Sequence, residues 1–269
     1  MSEALRVERH DAVALVVFDD PARRNAMTEA MGRALASVVE RLGRDEAVRA
    51  VVLTGAGAAF SAGGDLAMIE AKARAGREAP GEPRRSENRA FMRRFYDLFL
   101  SLRSLPQPTL AAINGAAIGA GLAVALACDL RIAAREARLG LNFNRLGIHP
   151  GMGSTWTLPR LVGPAHAADL LLTGRTIDGV EAERIGLVNR AVAADAVVSE
   201  ALATAAEIAA CAPLAVRGTR RALERALAVS LDEQLDYEAE QQALCYESAD
   251  LAEGLAAARE RRAPRFTGR

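Results

Sequence analysis

The sequence predicts an α/β fold in which parallel strands alternate with crossing helices. Three observations carry this. Two apolar runs of strand length, Ala12–Phe18 and Val48–Leu53, flank a segment of helical periodicity. A second strand-turn-helix unit follows near residue 110. Beyond Pro164 the pattern turns almost wholly helical, so a core of residues 1–193 followed by a helical region of residues 194–269 is expected.

Each element has its own signal. The run Ala12–Phe18 is near-continuously apolar and stops at Asp19-Asp20-Pro21. Thr28 can cap the next helix, in which Met31, Leu35, Val38, Val39 and Leu42 share one face. Val48–Leu53 is a second buried strand and leads into a stretch of small residues. Lys72–Glu87, punctuated by Gly76, Pro80, Gly81 and Pro83, reads as a mobile surface loop. A helix carrying Phe91, Phe95, Leu98, Phe99 and Leu102 on one face follows and ends at Pro106 and Pro108. Thr109–Cys128 has the length of a membrane span, but Asn114 interrupts it and Gly and Ala dominate it. It divides better into a strand (Leu110–Ile113), a glycine turn and a buried helix. Strand Leu130–Ala133 comes next, then a glycine- and proline-punctuated stretch from Gly140 to Gly163. The C-terminal helices expected are Ala194–Ala210, Pro213–Leu227, Leu231–Cys245 and Ala249–Arg261.

Composition excludes several function classes. The 269 residues hold 34 basic and 34 acidic side chains, so no basic excess favours nucleic acid. Aromatics make up 4%, too few for a base-stacking platform. Cys128, Cys211 and Cys245 form no CxxC pair, so neither a disulfide framework nor a structural zinc site is expected. The stretch MSEALRVERH lacks the apolar core of a signal peptide, which makes the cytoplasm the expected compartment.

Two strand-to-helix turns carry the chemistry. The first is Phe60-Ser61-Ala62-Gly63-Gly64-Asp65-Leu66, and the second is Asn114-Gly115-Ala116-Ala117-Ile118-Gly119-Ala120-Gly121. Small residues let backbone approach a ligand, and free N–H groups point out of a helix start. Two such turns facing each other can hold one oxygen between two amides, an oxyanion hole. Close packing of two buried turns is the plainer alternative. Neither turn has the lysine of a phosphate-binding P-loop or the dinucleotide pattern GxGxxG.

The motifs resemble the crotonase, or enoyl-CoA hydratase/isomerase, superfamily over nearly the whole chain. The matching segments are Asn25-Ala26-Met27, FSAGGDL at 60–66, INGAAIGAG at 113–121, Cys128-Asp129-Leu130-Arg131, LGIHPGMG at 146–153 and residues 163–192. The tail from Ser248 through Glu253-Gly254 and Arg259–Arg262 to Phe266 also matches. The resemblance implies a spiral of ββα units with a C-terminal helical region, assembled as trimers or hexamers. It implies an acyl-CoA thioester substrate, with coenzyme A arriving as part of that substrate and no permanently bound cofactor or metal. The oxyanion donors it implies are the N–H groups of Gly64 and Ala120. Backbone around Asn25, Ala26, Met27 and Ala62 would bind coenzyme A, with Asp65 and Phe143 lining the same site. Tail residues Arg261 and Phe266 would complete the coenzyme A site of a neighbouring copy.

Departures from the pattern are as informative. Hydratases of this family use two glutamates as general acid and base. The matching positions here are Ala123 and Phe143, and a third position that holds an acid in several relatives is Gly151. His149 is a candidate substitute, since imidazole titrates near neutrality; a turn-stabilising role beside Pro150 is its alternative. Asn142 and Asn144 can orient water or substrate but carry no proton. Asp65 reads as a helix cap, Asp129 and Cys128 as structural, Trp156 as core or pocket wall, and Glu70 as a remote acid. The segment Lys72–Arg94 holds eight basic and three acidic residues, a local +5 that could meet phosphates or face solvent. Three readings stay open: a hydratase/isomerase-type enzyme with an altered acid/base set, a non-catalytic fatty acyl-CoA binding protein, and an acyl-CoA decarboxylase or hydrolase that uses His149.

Overall fold

The computed structural model describes residues 4–269. Its first strands are β1 (Leu5–His10) and β2 (Val13–Phe18), paired antiparallel across a turn in which Asp11 has φ of 50°. Strand β1, at the sheet edge, holds only Leu5 and Val7 as apolar residues, too few to mark a strand in the sequence. Helix α1 (Glu29–Arg44) starts where Thr28 Oγ1 accepts the Met31 N–H at 3.1 Å. Met31, Leu35, Val39 and Leu42 are buried on its inner face. Burial of each such side chain contributes about 1.5–3 kcal/mol. The helix then delivers the chain to β3 (Ala50–Gly55), parallel to β2, which is the crossover that parallel pairing requires.

From β3 onward the chain repeats one device. A strand in the large sheet is followed by a short strand in a second sheet. Thus β3 is followed by β4 (Ala59–Ser61), β5 (Thr109–Ile113) by β6 (Ala116–Ile118), and β7 (Leu130–Ala134) by β8 (Leu139–Gly140). The large sheet has the order β1-β2-β3-β5-β7-β10, closed by β10 (Arg190–Val192); the small one has the order β4-β6-β8-β9, closed by β9 (Thr176–Ile177). Phe18 and Phe60 meet edge-on at 5.7 Å, one from each sheet. This is the spiral of ββα units with helices appended at its C-terminal end that the resemblance implies.

Two expectations about local structure are corrected, and one stretch that the sequence leaves unassigned is filled in. Lys72–Glu87 is no loop: α2 (Leu66–Glu78) and α3 (Glu82–Leu100) form a helical hairpin through it. Gly76 is carried inside α2, Pro83 sits in the first turn of α3 where no N–H is missed, and only residues 79–81 turn. The stretch from Gly140 to Gly163 is largely helical as well. After α4 (Ala120–Leu126) and β8, residues Asn142–Leu146 make a 3-10 turn and α5 (Ser154–Thr173) spans the rest, broken at Gly163 with φ of 75°. The region after Pro164 is not purely helical, since β9, α6 (Gly179–Arg184) and β10 return the chain to both sheets.

Helix α7 (Val197–Ala209) packs on β2, β3, β5 and β7 and covers the large sheet. The position 193/194 therefore falls between that sheet and its covering helix. Helices α8 (Pro213–Arg225), α9 (Leu231–Tyr246) and α10 (Ala249–Glu260) extend beyond it. Buried Arg220 anchors α8: its Nε donates to Asp129 at 2.8 Å and its Nη1 to the Leu105 carbonyl at 2.8 Å. Asp129 also accepts the Thr109 N–H at 2.7 Å, which gives it the structural part expected of it. Among the described residues no single helix is long and apolar enough to cross a membrane.

Candidate active site

The first turn is held from below. Buried Asn25 accepts the Asp20 N–H at 2.9 Å and donates to the Ala56 and Ala59 carbonyls at 3.0 and 2.8 Å. Buried Ser61 donates to the Asn25 carbonyl at 2.8 Å and accepts the Gly63 N–H at 3.1 Å. Met27 N–H donates to the Gly63 carbonyl at 2.8 Å, and Asp65 N–H to the Met27 carbonyl at 3.2 Å. These bonds tie up the amides on either side of Gly64 and leave its own N–H without a backbone acceptor among the described residues. Asp65 then caps α2 through the Met68 N–H at 2.9 Å.

The second turn is fixed against the first. Gly119 N–H donates to the Gly140 carbonyl at 2.7 Å, and Ala120 opens α4, where no carbonyl precedes it to accept its N–H. Glycine is required at two contacts between the turns. Gly63 has φ of 92°, and a Cβ on it would lie 2.5 Å from the Ile118 carbonyl oxygen and 3.5 Å from the Ala120 nitrogen. A Cβ on Gly121 would lie 2.7 Å from both the Cβ and the carbonyl oxygen of Ser61. The sequence pattern of small residues thus reports a real approach of two backbones.

Both turns open onto one cavity of about 900 Å³. Of the residues singled out in the sequence, Ala26, Ala62, Gly64, Asp65, Ala120, Phe143 and His149 line it together. Asn25 and Met27 do not; they are buried and act through the bonds just described. Arg261 and Phe266 lie outside the cavity of their own chain. Arg261 ends α10 with φ of 53°, and the Phe266 carbonyl accepts from Arg49 Nη2 at 2.6 Å. Arg23 and Lys72 also line the cavity, the latter with its ammonium 3.6 Å from the Phe91 ring centre. Of the rest of the basic segment, Arg84 and Arg85 pair with Glu87 and Glu82, and Arg93 pairs with Asp97 just beyond it.

Carboxylates are scarce on the lining. Ala123 is fully buried inside α4, and Phe143 sets its ring about 3.9 Å from where a Gly119 Cβ would stand, beside the second donor. Glu70 is exposed and does not line the cavity, and Asn144 is bound to the Leu171 carbonyl instead. Asn142 does line it. His149 is exposed to the cavity with Nδ1 2.7 Å from the Pro150 carbonyl. A carbonyl only accepts, so Nδ1 carries the hydrogen of this contact and Nε2 takes no part in it. Burial pushes the Cys128 thiol up to about 12, which makes it inert core. Trp156 is neither core nor pocket wall: it is half exposed, with the Arg160 guanidinium 4.0 Å from its ring centre.

One lining residue had no signal in the sequence. Tyr96, on α3, reaches the cavity beside Gly151, and burial pushes its phenol above the usual tyrosine value. Its neighbours Phe95 and Phe99 mark the buried face of α3, but nothing in that spacing tells which exposed residue the helix hairpin turns toward the turns.

Comparison with known proteins follows the same geometry. The sequence profile of the enoyl-CoA hydratase/isomerase family matches residues 8–269. A probable enoyl-CoA hydratase of Mycobacterium tuberculosis is 37% identical over 267 residues, covering 99% of each chain. The enoyl-CoA hydratase structure from Bacillus anthracis superposes with a TM-score of 0.88 at 34% identity, over 99% of this chain and 100% of that one. An enoyl-CoA hydratase from Polaromonas superposes with a TM-score of 0.90 at 31% identity, over 98% and 99%. The chain belongs to the enoyl-CoA hydratase/isomerase family, within the crotonase superfamily.

Proposed function

We propose that the protein is an acyl-CoA thioester enzyme of the hydratase/isomerase type, in which the N–H groups of Gly64 and Ala120 hold the thioester oxygen. The observation that carries this is the locked pair of turns, which presents to one cavity two amides without acceptors among the described residues. A carbonyl oxygen gains negative charge as an enolate forms, so these donors bind the transition state more tightly than the substrate. Each donor of such a hole is worth about 2.7–4 kcal/mol by the cost of its removal. Ala120 in place of glycine keeps its N–H, so the hole is intact. The acyl chain would lie against Ile69, Met92 and Phe95, and Arg23 and Lys72 would bring positive charge toward the coenzyme A phosphates.

Proton transfer then falls to groups other than the two expected glutamates. His149, with Nε2 free, can take a proton from water or from the acyl chain. In the second reading the protein binds fatty acyl-CoA without turning it over, and the apolar side chains at Ala123 and Phe143 and the glycine at 151 favour it. Arg261 and Phe266 lie outside the cavity of their own chain, which suits a tail that completes the site of a second copy in a trimer or hexamer. Exposed Leu223, Leu227, Leu231 and Leu235 on and between α8 and α9 suit the same assembly, and sedimentation of the purified protein tests it.

The decisive experiment mixes purified protein with crotonyl-CoA and longer enoyl-CoA homologues and follows loss of the conjugated enoyl absorbance. Acyl-CoA binding is measured by calorimetry on the same sample. Binding with turnover is the expected result. Binding without turnover at every chain length replaces this reading with the non-catalytic one, and absence of binding overturns both.

A further inference from the structure

Position 151 is one of the three at which the family resemblance leads one to expect an acid, and in this chain the space above it is already taken. A Cβ built on Gly151 would stand 2.5 Å from the Tyr96 hydroxyl oxygen, 3.0 Å from Cζ and 3.3 Å from Cε1. The phenol therefore fills the volume that a side chain at 151 would use. It arrives from another element, α3, onto the segment that carries His149 two residues before Gly151. Glycine at 151 and tyrosine at 96 are thus sterically one feature: any larger residue at 151 would displace the hydroxyl.

The ring is held for a directed role. Phe95 is 2% exposed and Phe99 fully buried, with their rings 5.0 Å apart, so this stretch of α3 is anchored in the core. Tyr96 itself is half-buried and lines the cavity together with Gly64, Ala120 and His149. Burial alone raises its pKa, with no hydrogen-bonding or charged group contributing, so the hydroxyl is neutral at pH 7 and free to donate into the cavity. Apart from His149, the other titratable groups on the lining are engaged elsewhere. Asp65 caps α2, Arg23 is paired with Asp20, and Lys72 lies over Phe91.

We propose that Tyr96 is a catalytic residue of this cavity, and that its O–H delivers the proton to the α-carbon of the enolate held by Gly64 and Ala120. This rests on the acyl-CoA reading above. In hydration, a water O–H bond breaks as its oxygen bonds to the β-carbon, and that proton passes to His149 Nε2. The π pair of the double bond moves toward the thioester oxygen. As the enolate collapses, the α-carbon takes the proton from Tyr96 Oη. The phenolate is then reprotonated from the imidazolium through solvent, so water has added across the double bond and both groups are restored. A phenol and an imidazole thus share the work of two carboxyl groups.

The test is Tyr96→Phe, which keeps the ring and removes one oxygen. Turnover of crotonyl-CoA and of its eight- and sixteen-carbon homologues is expected to fall about 100-fold, the lower range for a lost general acid. Acyl-CoA affinity should stay within about threefold and the melting temperature should be unchanged, which separates lost chemistry from lost folding. Gly151→Ala, which pushes the phenol out of its slot without removing it, should lose turnover by more than tenfold as well. Turnover within tenfold of the parent in Tyr96→Phe overturns the assignment, and so does a parent that binds acyl-CoA and never turns it over. A parent that binds no acyl-CoA overturns the acyl-CoA reading itself, so the two failures are distinct.

Discussion

The two walls of the cavity are built by different means. One is main chain: Gly64 and Ala120 present amides fixed by bonds from Ser61, Asn25, Met27 and Gly140, none of which involves the side chain of the donor itself. The other is side chain: Phe143, His149 and Tyr96 line it with their own rings. The difference decides what substitution can do to each. An alanine at 120 leaves the N–H in place, whereas a phenylalanine at 143 offers no proton-carrying group. On the proposed reading, the first wall would hold the thioester oxygen and the second would carry the proton transfers.

The largest expected effect comes from breaking the main-chain wall. Gly63→Ala puts a Cβ 2.5 Å from the Ile118 carbonyl at φ of 92°, so the turns must part. The strain costs about 1–3 kcal/mol of stability. Separation of the donors should lower kcat/KM for crotonyl-CoA about 100- to 1000-fold, as loss of one oxyanion donor does. An unchanged kcat/KM would detach catalysis from this wall altogether. Breaking the other wall should leave binding alone. His149→Ala is expected to cut turnover about 100-fold, in the range of a lost general base. Its acyl-CoA affinity should stay within about threefold by calorimetry. A matching loss of affinity would show that the two walls act as one.

The same contrast sets what was legible in the sequence. The donor turns could be read because a close approach of backbones leaves a local mark, runs of Gly and Ala between a strand and a helix. Helix α1 was legible through Thr28 and its inner stripe, and the C-terminal helices through their periodicity. The hairpin of α2 and α3 was misread as a loop because proline and glycine mark breaks without saying whether they fall between helices or within irregular chain. Strand β1 escaped because an edge strand need not alternate cleanly. Tyr96 escaped for a different reason: its role depends on where α3 crosses Gly151, a contact across 55 positions that no local pattern encodes. The residues missing from the pattern, Ala123, Phe143 and Gly151, were legible only as absences.

A smaller effect sharpens the account of the main-chain wall. Gly121→Ala places a Cβ 2.7 Å from the Cβ and carbonyl of Ser61, in a contact with no slack. Overpacking of this kind costs about 1–3 kcal/mol, read as a lower midpoint in urea unfolding. The Ala120 N–H survives, so turnover should fall by no more than about tenfold. A larger loss than in Gly63→Ala would mean that the spacing at Ser61, not the direction of the Gly64 amide, sets the hole.

The smallest effect lies outside both walls and serves as their control. Arg262 holds the Glu253 carboxylate with Nη1 at 2.6 Å and Nη2 at 2.9 Å, and the Arg265 N–H donates to it at 2.7 Å. The Arg262 hydrogen bonds, then the Arg265 amide, hold its pKa down to about 2 from the ordinary 4.5. A carboxyl whose pKa is lower in the folded state adds stability above its unfolded value and loses it as pH falls. The contribution is thus complete above about pH 4.5 and gone near pH 2. Glu253→Gln cannot titrate, so its stability should fall less steeply across that window, measured as melting temperature against pH. The pair is solvent-exposed and its share small. Equal slopes in the two proteins would remove it as a source of acid sensitivity, and altered turnover of crotonyl-CoA would tie the C-terminal tail to the cavity.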